Sequence, residues 1–292
     1  MLWNQYRLAV ACTSTLALFS SNSEKDVRPG GLMHGAAAAT YKEMHVANTG
    51  ASGVTHTGAK RAALPGRAEA PFCLYITFDD GPSAGSPLVS ELVREKELPV
   101  NVFLIGRNVC LTDRSRELFR EYKANPLIEI GNHSFTHAER RYQHYFKQPG
   151  NVLADFNRSR DSLRMDNGLT RLPGRNFFRI AGLSRNEGGN GKEAADTLAA
   201  NGYSIFGWDL EWRREVSKGF EKHTAREMLD IVATMLNDGK TFLPGRLILL
   251  LHEQELQDTA FTRQLQDFIQ LAKDDGKYRF GHLSDCVVIQ RN

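Results

Sequence analysis

From position 71 onward, short runs of β-branched, leucine and aromatic residues alternate with longer segments whose apolar positions recur every three or four residues. Leu74–Phe78, Val100–Ile105, Ile128–Ile130, Tyr203–Phe206 and Leu247–Leu251 predict strands, most of them apolar on both faces. Such strands belong in a sheet covered on both sides, which favours parallel pairing. Between them Pro87–Lys96, Arg114–Ala124, Val152–Met165, Lys192–Asn201, Thr224–Asn237 and Ala260–Lys273 predict amphipathic helices. The alternation predicts an α/β fold on a parallel sheet, open or closed into a barrel, with reactive residues where strands end and loops begin.

The first 70 residues follow a different rule. Arg7 precedes the apolar run Leu8–Phe19 and a polar stretch over 20–23, the order of an export signal, and the run is too short to span a bilayer comfortably. Residues 1–23 are therefore expected to be a signal peptide or uncleaved anchor, placing the protein in the periplasm or outside the cell. Residues 24–70 are rich in Gly, Ala, Thr and Ser and lack periodicity, so they cannot bury enough apolar surface to offset chain entropy. They read as a flexible linker whose His34, His45 and His56 are solvated, leaving 71–292 as one folded domain.

Of the 292 residues 41% are hydrophobic and 24% charged, the make-up of a globular protein and not of a disulfide scaffold. Lys and Arg total 37 against 34 Asp and Glu, and the resulting +3 is too small to imply a nucleic-acid partner. Cys12, Cys73, Cys110 and Cys286 form no C-x-x-C pair, which argues against a thiolate metal site. They read as small buried hydrophobes, with one disulfide left open.

Candidate chemistry gathers at strand ends. The first strand runs into Asp79-Asp80-Gly81-Pro82, where a turn keeps two carboxylates at the loop. The third runs into His133-Ser134-Phe135-Thr136-His137, and histidines at i and i+4 on one helical face can reach a single cation. Arg171-Leu172-Pro173-Gly174-Arg175 offers a guanidinium for a carboxylate or oxyanion and a glycine that admits a ligand closely. Trp208-Asp209-Leu210-Glu211-Trp212 sets two acids between indoles suited to sugar faces, and an apolar strand delivers Leu250-Leu251-His252.

Taken in order, these five clusters resemble the motifs of the polysaccharide deacetylase family, the NodB-homology domain of carbohydrate esterase family four, across nearly all of 71–292. The resemblance implies a distorted (β/α) barrel and a metal-dependent catalytic domain that hydrolyses N- or O-acetyl groups on sugars. It implies that Asp80, His133 and His137 hold a divalent metal, zinc in the first place with cobalt or manganese as alternatives. It makes Asp79 the general base, Arg171 its orienting partner and His252 the general acid, supported by Asp209 or Glu211. Pro173, Gly174, Trp208, Trp212 and Leu250 would line the substrate, Leu250 against the acetyl methyl and Gly174 lending its N–H to the oxyanion.

Two departures stand out. Family members usually carry Tyr after the third-motif Pro, where this chain has Gly174, and the fourth motif is compressed. A non-catalytic carbohydrate-binding domain and another metallohydrolase on the same Asp-His-His group are the competing readings. The implied partner is an acetylated poly- or oligosaccharide, with no obligate protein partner, and the near-neutral charge suits an uncharged sugar.

Overall fold

The computed structural model describes residues 71–214 and 223–288; the expectations for the leader, the linker with its three histidines and Cys12 lie outside the described residues. In chain order the elements are β1 (Phe72–Gly81), α1 (Ser86–Lys96), β2 (Val100–Leu104), α2 (Gly106–Leu111), α3 (Asp113–Ala124), β3 (Ile128–Asn132), a 3-10 turn (His137–Arg140) and α4 (Tyr142–Tyr145). There follow α5 (Pro149–Leu163), β4 (Leu169–Thr170), β5 (Asn176–Ile180), β6 (Leu183–Glu187), α6 (Lys192–Ala200), β7 (Ser204–Ile205) and β8 (Leu210–Glu211). The chain closes through α7 (Ala225–Asn237), β9 (Arg246–His252), a 3-10 turn (Glu253–Gln257), α8 (Thr259–Asp275), β10 (Tyr278–Phe280) and α9 (Ser284–Val288).

All ten strands among the described residues join one sheet, ordered β6-β5-β7-β4-β3-β2-β1-β9-β8, with β10 also pairing β1. Pairing is parallel except where β5 meets β6 and β7. The sheet curls into a distorted, open (β/α) barrel. The antiparallel β5–β6 hairpin and the short α2 escape sequence reading because β6 is mostly exposed polar residues and α2 spans only six residues.

The helices form where local signals agree. α7 opens on a complete capping box, Thr224 with Glu227, and α8 on Asp258, whose carboxylate accepts from Ala260 N and Phe261 N. Strand alternation then divides the core. Leu74, Ile76 and Phe78 of β1 pack with Leu247, Leu249 and Leu251 of β9 beneath α1, α7 and α8. Tyr75, Phe103, Phe178, Phe206 and Ile248 fill the barrel interior. Thr77 and Asp79 continue Tyr75's side of β1, just as Leu250 and His252 continue Ile248's side of β9, and the register sets Asp79 opposite His252. Cys73 and Cys286 are buried thiols as expected, whereas Cys110 is exposed.

Trp212 corrects an expectation. Instead of lining the substrate it is 1% exposed, edge-on to Phe261 at 5.4 Å and Phe268 at 5.6 Å between ring centroids. β8 is two residues long, and beyond it the chain turns this indole beneath α8. Trp212→Ala is expected to lower unfolding free energy by about 3–5 kcal/mol, the usual cost of emptying such a site, read from urea denaturation midpoints.

Candidate active site

The site begins with a bulge. Between Asp79 and Gly81 the register of β1 against β2 shifts, and Asp80 adopts φ 71°. A regular strand sends successive side chains to opposite faces; the bulge turns both carboxylates toward the same loop cluster. Asn108 of α2 donates its side-chain amide to the Asp80 carbonyl at 3.2 Å and fixes this backbone from outside.

His133 and His137 meet at Asp80, but not along a helical face. Ser134 has φ 64°, its N–H donates to Asn132 Oδ1 and its Oγ accepts from His137 N–H, both at 2.9 Å. Residues 137–140 then all adopt left-handed backbone, φ 47° to 62°. This loop folds the two rings to 5.0 Å between centroids, each with Nε2 facing Asp80 Oδ1, at 3.5 Å from His133 and 3.0 Å from His137. One ligand atom from each of the three residues lies within 4.8 Å of the other two.

The donor set fits a cation. His133 Nδ1 hydrogen-bonds the Arg171 carbonyl at 2.9 Å, which in the neutral ring leaves Nε2 as a bare acceptor aimed at a carboxylate. Asp80 Oδ1 is itself buried with no hydrogen bond. Acceptors converging in this way are held together by a positive charge, and two imidazoles with one carboxylate suit a divalent transition metal. Burial opposes charging His133, but the Asp79 and Asp80 carboxylates outweigh it and raise its pKa. Burial likewise opposes Asp80 ionisation, and the two histidines override it and hold that carboxyl far below its usual range.

Behind the ligand group lies Arg171, wholly buried. Its Nη1 donates to Asp79 Oδ1 at 2.9 Å and Thr77 Oγ1 at 2.8 Å, its Nε to the Phe206 carbonyl and its Nη2 to the Gly207 carbonyl. Phe103 covers the guanidinium at 4.2 Å from the ring centroid. Asp79 thus has one oxygen fixed, while Oδ2 sits 3.7 Å from His133 Nε2 at the edge of the ligand group. His252 Nδ1 is buried without a hydrogen bond and lies 4.0 Å from Glu211 Oε1.

Of the two acids offered as support for His252, the structure brings Glu211 to it. Asp209 instead accepts from Phe242 N at 2.7 Å and Ile248 N at 2.9 Å, tying strand ends together, and has no ion pair with His252 among the described residues. Leu250 is buried, Pro173 is buried, Gly174 is exposed, and Trp208 is partly buried 5.9 Å from the Arg171 guanidinium.

Sequence reading missed two residues here. Tyr142 lies edge-on to His137 at 5.8 Å, and a Cβ on Gly174 would meet the Tyr142 ring at 3.4 Å, so this ring stands where a side chain at 174 would project. The short α4 carries no periodicity that could have singled it out. Glu253, next to His252, is fully buried; its carboxylate accepts from Ser83 N, Ser83 Oγ, Ser86 Oγ and Tyr122 Oη. A Cβ at Gly81 would come within 2.1 Å of it, so only glycine admits this clamp between the β1 loop and the end of β9.

Burial pushes the Glu253 carboxyl from an ordinary 4.5 up to about 7, against the pull of its hydrogen bonds. The folded protein therefore keeps a proton that the unfolded chain releases, and the stability this contributes is present below pH 4.5 and lost as pH rises to about 7. At 1.36 kcal/mol per unit the loss is on the order of 3 kcal/mol. Urea unfolding at pH 5 and pH 8 should show this decline in the wild type and a flatter profile in Glu253→Gln. Arg171→Met should cost about 3–5 kcal/mol in the same assay, since it leaves Asp79 buried without its counter-charge.

Residues 66–187 match the family model described as polysaccharide deacetylase. No curated protein matches the chain in sequence. Among solved structures, a family 4 carbohydrate esterase of Streptococcus mutans superposes with a TM-score of 0.55 at 22% identity, covering 73% of this chain and 86% of that one. The catalytic domain of a peptidoglycan N-acetylglucosamine deacetylase from Eubacterium rectale gives 0.52 at 14% identity, over 72% and 88%. A Bacillus subtilis family 4 carbohydrate esterase gives 0.52 at 19%, over 77% and 82%. At these identities the structures speak for the fold and the family model for residues 66–187, and both agree with the motifs: that stretch of the chain is similar to polysaccharide deacetylases.

Proposed function

We propose that the protein hydrolyses N- or O-linked acetyl groups of a polysaccharide or oligosaccharide, with a divalent cation held by Asp80, His133 and His137. The observation that carries this reading is the division of labour within Asp79: Oδ1 is pinned by Arg171 while Oδ2 faces the ligand group. A pure binder has no use for a carboxylate held in that way. The ion, zinc in the first place with cobalt or manganese as alternatives, supplies a Lewis acid and a water of lowered pKa when bound.

The chain's own groups do the rest. Asp79 Oδ2 accepts the proton of the attacking water while Arg171 keeps the carboxylate from rotating away. His252, across from Asp79 in the strand register, delivers a proton to the departing nitrogen or oxygen. Glu211 Oε1 lies 4.0 Å from its Nδ1. The Gly174 N–H donates to the oxygen on which negative charge develops. Leu250 packs on the acetyl methyl, and Pro173 with Trp208 and Tyr142 bound the sugar. The glycan named for the Eubacterium rectale protein, chitin-like oligomers and acetylated xylan are all admitted by such a site. The export expected from the leader would place the protein where these polymers lie.

Purified protein with zinc or cobalt should release acetate from acetylated chito-oligosaccharides or sugar acetates, lose this on chelation and regain it with added metal. Asp79→Asn should lower kcat by about 10²–10⁴-fold, the usual worth of a general base. Unchanged turnover in that variant would remove Asp79 from the mechanism. Glycan binding without acetate release would favour a non-catalytic domain, and turnover of phosphate esters alone a different metallohydrolase.

A further inference from the structure

Asp80 and His137 open into a cavity of about 580 Å³, within the range of sites that enclose small ligands. Its wall carries two arginines from separate elements, Arg107 at the start of α2 and Arg140 at the end of the left-handed turn. Both are exposed, and neither side chain makes a hydrogen bond or ion pair with any described residue. Among the described residues, the one other acid on this wall besides Asp80 is Glu139, and its carboxylate is taken by Arg141. The cavity therefore presents two guanidinium groups with no carboxylate paired to them.

The backbone beneath Arg140 is costly. Residues 137–140 are all non-glycine and all left-handed, a conformation disfavoured by about 1–2 kcal/mol per residue. Strain of this kind persists where the surrounding structure imposes it and clusters at functional sites. The same turn delivers His137 to Asp80 and carries Arg140 to the cavity wall, while Arg107 is anchored by its N–H to the Phe135 carbonyl at 2.9 Å. Guanidinium forks match planar carboxylates and phosphates, and they have nothing comparable to hold on a neutral acetylated sugar.

We infer that Arg107 and Arg140 form a subsite for an anionic group, carboxylate or phosphate, carried by the glycan beside the acetylated sugar. This rests on the deacetylase reading above, and it narrows the substrate from any acetylated glycan to an acidic one. The overall charge of +3 conceals the subsite because the remaining charges nearly cancel.

The test uses the full chain with zinc and three acetylated oligosaccharides of equal length: one neutral, one bearing a carboxylate and one bearing a phosphate on a neighbouring sugar. An acidic oligomer should exceed the neutral one at least tenfold in kcat/KM at low salt, mainly through KM, with the advantage shrinking in 0.5 M salt. Whichever acid gains more identifies the anion. Arg107→Gln and Arg140→Gln should each pull the acidic-to-neutral ratio toward one. A wild-type ratio of one or less, or a ratio untouched in both variants, overturns the subsite and leaves the deacetylase reading intact. Should no oligomer release acetate, that reading fails, and calorimetric binding of the same oligomers to metal-free protein decides the subsite alone: preference for the acidic oligomers, lost in the variants, supports it, and equal binding sinks it.

Discussion

The centre of this molecule is a single cation with no access to water. Arg171 pays the desolvation of a full positive charge, and burial lowers its pKa against the opposing field of Asp79. Its side-chain donors reach β1 through Thr77 and Asp79, and the segment after β7 through the Phe206 and Gly207 carbonyls. Its backbone reaches the end of β3 and the loop after it, donating to the Asn132 carbonyl and accepting at its own carbonyl from His133. One residue thereby sets the rotamer of the proposed base and the tautomer of a proposed ligand. Lysine, with a point charge and no fork, could not serve these directions together.

Around this charge the barrel supplies two further fasteners. The Asp79-Asp80 bulge departs from strand geometry so that both acids serve one place, and Glu253 ties that loop to the strand bearing His252. The Glu253 clamp is built largely of hydroxyl donors around a carboxyl, without a cation: its hydrogen bonds favour the charged form and burial, which outweighs them, the neutral one. Arg171 and Glu253 thus hold the loop by different means, one through a buried ion pair and the other through hydroxyl and backbone donors around a carboxyl.

Much of this was legible in the sequence, for identifiable reasons. The long helices and central strands announce themselves by period, and the Asp-Asp and His-x-x-x-His groups lie at strand ends where α/β folds concentrate chemistry. Spacing did not disclose how the histidines meet: the i, i+4 interval is served here by left-handed backbone at Ser134 and His137, which no periodicity encodes. Trp212 looked like a sugar wall because indoles beside acids often are, and only the path of the chain after β8 shows it beneath α8. Arg107, Arg140 and Tyr142 were silent because they sit on elements of four to six residues, too short to carry a pattern.

The displacement of an aromatic wall from position 174 to Tyr142 has a consequence for how the site responds to its ligands. A tyrosine at 174 would have stood on a loop of its own, whereas Tyr142 follows His137 by five residues, with its hydroxyl 3.5 Å from His137 Nδ1. Whatever fixes the imidazole also fixes the ring. By thermodynamic reciprocity, an ion that orders this segment tightens the grip on sugar by the same factor by which sugar tightens the grip on the ion. On the proposed function, metal occupancy and glycan recognition would be coupled quantities, with an affinity measured for either one conditional on the other.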